Sequence, residues 1–193
     1  MSAPPPVSPR RLAWRDLWSI PGVLTVSRLP MACAFPLFQA STVGFVSLYL
    51  ACVLTDILDG WTARRLGQVS HTGSVLDGWL DKVVHVNAAW TLVNAELMPN
   101  WWMACWFSRE LIQGPMVIWL TGRFYRGEVG PHEATVVGKV TAWLLGVAMV
   151  AVALGLRGLG EVLTPIIGLC GAWSGFGYLW RELRDLRALS RRV

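Results

Sequence analysis

Charged side chains are scarce in this sequence. Only 15% of its 193 residues are Asp, Glu, Lys or Arg, against about 25% in a soluble globular domain. Apolar types make up 54%, which puts the chain in the membrane class. Paired cysteines are lacking as well. Cys33, Cys52, Cys105 and Cys170 stand singly in apolar runs with no C-x-x-C, which excludes a disulfide framework and thiolate metal sites and leaves them as small hydrophobes in helices. The three histidines, His71, His85 and His132, are isolated and read as surface or packing residues, although His71 falls between two acidic stretches and is near enough to support a site there. The start of the chain lacks a basic-then-apolar leader. It is rich in proline (Pro4, Pro5, Pro6, Pro9) and is expected to be disordered over residues 1–9. No repeat or low-complexity run follows, so residues 10–193 are expected to form a single membrane domain.

Tryptophan, by contrast, is abundant, with twelve residues. Its half-apolar ring favours the membrane–water interface, and Trp14, Trp18, Trp101, Trp102 and Trp180 fall near the ends of apolar runs. Residues 10–20 set Trp14, Leu17 and Trp18 against Arg11, Arg15 and Ser19, the pattern of a short amphipathic helix lying in the interface. Six apolar runs follow, each near the 20 or so residues that a span needs: 22–40, 42–66, 72–97, 101–121, 133–156 and 159–180. Pro30 and Pro36 interrupt the first and predict a kink. The expected fold is therefore all-α and integral to the membrane, with six transmembrane helices after the interfacial helix.

The formal net charge is +5, and its distribution carries more information than its sum. Arg10, Arg11 and Arg15 precede the first span. Arg64, Arg65, Arg123 and Arg126 lie in alternate connections, and Arg181, Arg184, Arg187, Arg191 and Arg192 end the chain. The other connections carry only Arg157. This asymmetry predicts both termini on the cytoplasmic side of an inner or plasma membrane. Because the arginines flank apolar spans and form no basic domain, nucleic acid is not an expected partner.

Against this oily background, four aspartates stand close together: Asp56 and Asp59, then Asp77 and Asp81. One Asp at the centre of a transmembrane helix costs about 2.5–3.5 kcal/mol on insertion scales. A single one would read as a helix cap or a salt bridge. Spacings of three and four put each pair on one helix face, and a short connection makes the two helices antiparallel neighbours, so all four carboxylates can surround one point. Oxygen ligands without His or Cys suit Mg²⁺, Mn²⁺ or Ca²⁺. Four carboxylates can hold two such ions about 3.5–4 Å apart, a clamp for phosphoryl oxygens. Gly60, Ala63 and Gly73 would let a bulky ligand approach the backbone, and Arg64 is placed to meet a phosphate.

The stretch Asp56-x-x-Asp59-Gly60-x-x-Ala63-Arg64, eight residues, Gly73-x-x-x-Asp77-x-x-x-Asp81 resembles the full signature of the CDP-alcohol phosphotransferase family. The resemblance implies an enzyme of six helices, usually a homodimer, that takes a CDP-linked lipid such as CDP-diacylglycerol and transfers its phosphatidyl group to an alcohol, releasing CMP. It implies two divalent ions, Mg²⁺ or Mn²⁺, held by Asp56, Asp59, Asp77 and Asp81, with Asp81 also the general base. Gly60, Ala63, Arg64 and Gly73 would line the cytidine and pyrophosphate site, and Thr25 is assigned to CDP-lipid binding. The acyl chains would remain among membrane lipids.

Arg28, Arg109 and Lys139 lie inside apparent spans, where a cation faces a cavity or a partner. The segments 21–28, 108–110 and 138–141 are similar to the phosphatidylglycerophosphate synthase branch, which implies that these three residues bind a phosphorylated acceptor such as glycerol 3-phosphate. Gly22 stands where that branch usually has Asn, and Gly78-Trp79-Leu80 replaces its common Pro-Leu-Ala. Arg28 read alone would pair with a bundle carboxylate, and Arg109 with Glu110. Phosphatidylinositol-phosphate and cardiolipin synthases use the same chemistry on other acceptors. Two further classes fit a helical bundle with buried acids. A cation carrier would hold its acids near the bilayer midplane, whereas these fall at a helix end beside Arg64 and Arg65. A non-catalytic scaffold would have no need of all four aspartates.

Overall fold

The computed structural model describes residues 20–67, 71–114 and 136–190. The expected interfacial helix, apart from Ile20, and the expected connection at 122–130 lie outside the described residues. Every element described is helical: α1 (Ile20–Ala34), a 3-10 turn (Phe35–Phe38), α2 (Thr42–Arg65), α3 (His71–Asn94), α4 (Trp101–Trp106), α5 (108–114), α6 (Val136–Ala153) and α7 (Arg157–Ser190). Among the described residues three helices are long and apolar enough to cross a membrane, namely α2, α6 and the Arg157–Arg181 part of α7. Gly22–Phe38 forms a shorter apolar helix. Although α3 matches α2 in length, it carries Asp77, Asp81 and Lys82 in its first half. The fourth expected span is interrupted at Phe107, where α4 ends and α5 begins. The last expected span and the basic stretch after it form one continuous helix, α7.

The described helices fall into two compact units. One holds α1, the 3-10 turn, α2 and α3 up to Pro99, together with Met149–Arg157; the other holds Asn100–Ala148 and the residues from Gly158.

In the first unit α1 is the central element, packed along both α2 and α3, while α2 and α3 touch each other little. The buried positions of α1 are Gly22, Thr25, Arg28 and Ala32, with Phe35 just beyond its end. They form one stripe at intervals of three and four residues. The opposite positions Val23, Val26 and Leu29 are exposed. Thr25 and Arg28 thus point inward while Val23, Val26 and Leu29 point outward, the arrangement that lipid favours and water does not. On α2 the buried stripe runs Phe45, Tyr49, Cys52 and Asp59. On α3 it includes Leu80, Val84, Ala88 and Leu92. Aromatic rings close the apolar end, with Phe35 5.2 Å from Phe45 and 6.4 Å from Tyr49 between ring centroids. The acids stand at the other end of the same stripes.

Helix ends follow from local chemistry. The Ser41 Oγ accepts from the Gly44 N–H at 3.1 Å and caps α2. Past the other end of α2, Gly67 adopts φ +64°, a left-handed conformation that costs glycine little. At the end of α3 the same role falls to Glu96, with φ +58°, and the Leu97 N–H closes onto the Leu92 carbonyl at 3.0 Å. Pro36 lies in the 3-10 turn that takes over where α1 stops, and α1 itself passes through Pro30.

In the second unit α7 presents Thr164, Gly168, Gly171 and Gly175, spaced by four, three and four residues. Thr164 Oγ1 accepts from the buried indole N–H of Trp106 at 2.9 Å, and the Ser108 hydroxyl donates to the Gly168 carbonyl at 3.0 Å. A Cβ at Gly171 would lie 2.5 Å from Ser108 Oγ, and one at Gly175 would lie 3.1 Å from Ile112 Cβ. These glycines are therefore what allows α7 to approach α4 and α5 so closely, as small residues do between membrane helices.

Candidate active site

Three of the four aspartates converge. Asp56 and Asp59 project from α2 and Asp77 from α3, and one carboxylate oxygen of each lies within 4.8 Å of the others. Asp59 is buried, whereas the side chains of Asp56 and Asp77 are 44% and 42% exposed, so the group is open on one side. Asp81, one turn further along α3, is not among the three that converge. Its Oδ1 lies 3.3 Å from His85 Nδ1.

At the centre of the three carboxylates sits the guanidinium of Arg28, brought there by α1. Its Nη1 donates to Asp56 Oδ1 at 2.6 Å, and its Nη2 donates to Asp77 Oδ1 at 2.5 Å and also to Asp59 Oδ2. Thr25, one turn before Arg28 on the same face, donates its hydroxyl to Asp59 Oδ2 at 3.0 Å. Arg28 is 1% exposed. Within the described residues no acceptor meets its Nε, so its place is fixed by the carboxylates. A cation bound by three acids from two helices shows where the cluster accepts positive charge. The donor set of carboxylate oxygens alone suits hard divalent ions. The residues present therefore fit a divalent metal.

Around this core, Gly60 and Ala63 follow Asp59 on α2, and the guanidinium of Arg64 folds back over Gly60, where a Cβ would lie 3.4 Å from its Nη1. Arg64 is exposed, and Gly73 lies in the first turn of α3. Arg65 stacks on Trp61 with 4.8 Å from its guanidinium carbon to the ring centroid. The remaining cations belong to the other unit. Arg109 donates to the Gly138 carbonyl at 3.0 Å and its Nε lies 3.2 Å from Glu110 Oε1, while Lys139 is exposed. Both Arg28 and Arg109 thus hold the intramolecular partners that their residue types suggested. Two residues make contacts beyond the roles expected from sequence, CDP-lipid binding for Thr25 and packing for His85. Thr25 contacts a carboxylate directly. His85 contacts Asp81, and only its interval of four residues could have signalled it.

The chain matches the family described as CDP-alcohol phosphatidyltransferase over residues 18–175. It is 31% identical over 187 residues to the CDP-diacylglycerol--glycerol-3-phosphate 3-phosphatidyltransferase of Pectobacterium atrosepticum, covering 88% of this chain and 97% of that one. The protein of the same name from Sodalis glossinidius is 29% identical over 184 residues, 87% of this chain and 97% of its own length. A Drosophila melanogaster protein named "Probable cardiolipin synthase (CMP-forming)" is 31% identical over 99 residues, 50% of this chain and 31% of that one. With the acidic signature intact and the match extending over α1 to most of α7, this chain belongs to the CDP-alcohol phosphatidyltransferase family.

Proposed function

We propose that this protein transfers the phosphatidyl group of CDP-diacylglycerol to glycerol 3-phosphate, forming phosphatidylglycerophosphate and releasing CMP. The observation that carries the reading is the convergence of Asp56, Asp59 and Asp77 on a single buried cation. The full-length likeness to relatives named for this reaction supports the acceptor.

Asp56, Asp59 and Asp77 would hold the divalent ions, Mg²⁺ or Mn²⁺, with Asp81 completing the set. Bound there, the ions supply charge neutralisation for the pyrophosphate and the departing CMP. Asp81, with its side chain 50% exposed, takes the proton of the acceptor hydroxyl. The hydroxyl oxygen forms a bond to the phosphorus bearing diacylglycerol, the bridging P–O bond of the pyrophosphate breaks, and CMP leaves with the electron pair. Gly60, Ala63, Gly73 and Thr25 line the CDP-lipid site and Arg64 meets its phosphates. Arg28, Arg109 and Lys139 are the cations that would meet an acceptor phosphate. The full architecture in this reading is six spans with both termini and the polar site on the cytoplasmic side of an inner or plasma membrane, as a homodimer.

The test is CMP release by purified protein with Mg²⁺ or Mn²⁺, CDP-diacylglycerol and one acceptor at a time: glycerol 3-phosphate, phosphatidylglycerol, inositol 1-phosphate, inositol or serine. Release confined to glycerol 3-phosphate supports the proposal. Release with phosphatidylglycerol instead would make the chain a cardiolipin synthase, the second reading that the Drosophila relative supports. Binding of the lipid without CMP release from any acceptor would leave a scaffold.

A further inference from the structure

We propose that His85 is a positioning residue for Asp81, set in one tautomer by the Asp81 main-chain carbonyl and backed by Tyr49. The inference rests on the reading of Asp81 as the general base. His85 follows Asp81 by one helical turn on α3. Its Nδ1 lies 2.7 Å from the Asp81 main-chain oxygen and 3.3 Å from Asp81 Oδ1. A carbonyl oxygen can only accept, so Nδ1 carries the hydrogen. In the neutral ring Nε2 is then the acceptor, and the hydroxyl 3.1 Å from it, that of Tyr49, must donate. In the neutral ring each direction along this chain of bonds is thereby fixed: Tyr49 O–H donates to His85 Nε2, and His85 Nδ1–H donates to the Asp81 main-chain oxygen, with Asp81 Oδ1 3.3 Å from the same nitrogen.

The surroundings hold this chain rigid. Tyr49 is buried on α2, in the same stripe that carries Asp59, and its ring meets the imidazole edge-on at 84° with 6.0 Å between centroids. Phe35 backs the tyrosine ring. His85 is itself largely enclosed, with 14% of its side chain exposed, while the Asp81 side chain remains half exposed. One carboxylate oxygen therefore rests 3.3 Å from an enclosed imidazole nitrogen. A base restrained in this way needs less reorganisation when the alcohol arrives.

The experiment compares CMP release, Mn²⁺ affinity by electron paramagnetic resonance and thermal unfolding for His85→Leu, His85→Asn, Tyr49→Phe and Asp81→Asn. Leucine removes the donor, while asparagine retains an amide N–H near the Nδ1 position. His85→Leu is expected to lower kcat about 10–100-fold, the range for groups that orient a site residue. KM for CDP-diacylglycerol should change much less than kcat, Mn²⁺ affinity should fall only modestly because Asp81 is one of four carboxylates in the set, and His85→Asn should recover most of the loss. Tyr49→Phe should show a smaller fall in kcat of the same kind. In an Asp81→Asn background, His85→Leu should cause no further loss, because its effect passes through Asp81. Unchanged kcat in His85→Leu, an asparagine variant as poor as the leucine one, or a multiplied loss in the double variant would overturn the proposal. Near-normal turnover by Asp81→Asn alone would instead overturn the general-base reading, whatever His85 does.

Discussion

The guanidinium of Arg28 and the carboxylate of Asp56 meet at 2.6 Å although 28 residues separate them in the chain. The contact joins α1 to α2, and through Asp77 the same guanidinium joins α1 to α3. Removing it would leave three carboxylates within 4.8 Å of one another with no cation between them. Loss of one partner from a buried ion pair costs about 3–5 kcal/mol, and the half-exposed Asp56 and Asp77 bring the expected figure to the low end. Arg28→Gln should therefore unfold at a lower temperature in chelator. Mn²⁺ should raise its unfolding temperature by more than it raises that of the parent protein, because the ion no longer competes with a resident cation. Differential scanning fluorimetry in detergent, with and without Mn²⁺, measures both.

Thr25 donates to the oxygen of Asp59 that Arg28 also contacts. Thr25→Val keeps the shape and removes the donor, so Asp59 is less firmly oriented. Mn²⁺ affinity is expected to fall about 10-fold, in the range for groups that orient metal ligands. Asp59→Asn should lose far more. Titration of Mn²⁺ by electron paramagnetic resonance distinguishes the two.

Chelation should stop CMP release, and Mg²⁺ or Mn²⁺ should restore it, whereas Zn²⁺ should restore it poorly because the carboxylate donor set lacks the nitrogen or sulfur that zinc favours. Full activity in excess chelator would remove the metal from the mechanism.

The glycine stripe of α7 offers a paired test. Gly171→Ala would force a methyl against Ser108 Oγ at 2.5 Å, and overpacking of this kind costs about 1–3 kcal/mol. Gly177→Ala meets nothing within 4 Å and should gain up to about 1 kcal/mol from helix propensity. Opposite shifts in unfolding temperature are expected.

Glu96 ends α3 with a positive φ, a conformation that costs a side-chain-bearing residue about 1–2 kcal/mol. Glu96→Gly should raise the unfolding temperature and Glu96→Val should lower it.

Much of this was readable in advance. The expected second span, 42–66, and the helix Thr42–Arg65 differ by one residue, because a long apolar run with a serine before it leaves few choices of boundary. The pairing of Asp56 with Asp59 on one face followed from helical spacing alone. What spacing could not supply was the third helix. Nothing in the interval between Arg28 and the aspartates says that α1 lies between α2 and α3, yet that placement converts four acids around one point into three acids around one guanidinium, with Asp81 turned to His85. His85 looked like packing because a histidine in an apolar run usually is, and its partner Tyr49 comes from another helix. Arg109 shows the same limit: its neighbour Glu110 was evident, and its bond to the Gly138 carbonyl was not.

The inward-facing charge of α1 also bears on biogenesis. A chain grows from its N-terminus, so Arg28 is synthesised 28 residues ahead of Asp56 and 49 ahead of Asp77. Until those residues leave the ribosome, α1 presents an arginine with no counter-charge, and a lone arginine at the centre of a helix opposes entry into lipid by about 2.5–3.5 kcal/mol. Stable placement of α1 is therefore tied to the later arrival of α2 and α3, and the three helices of this unit settle as a group.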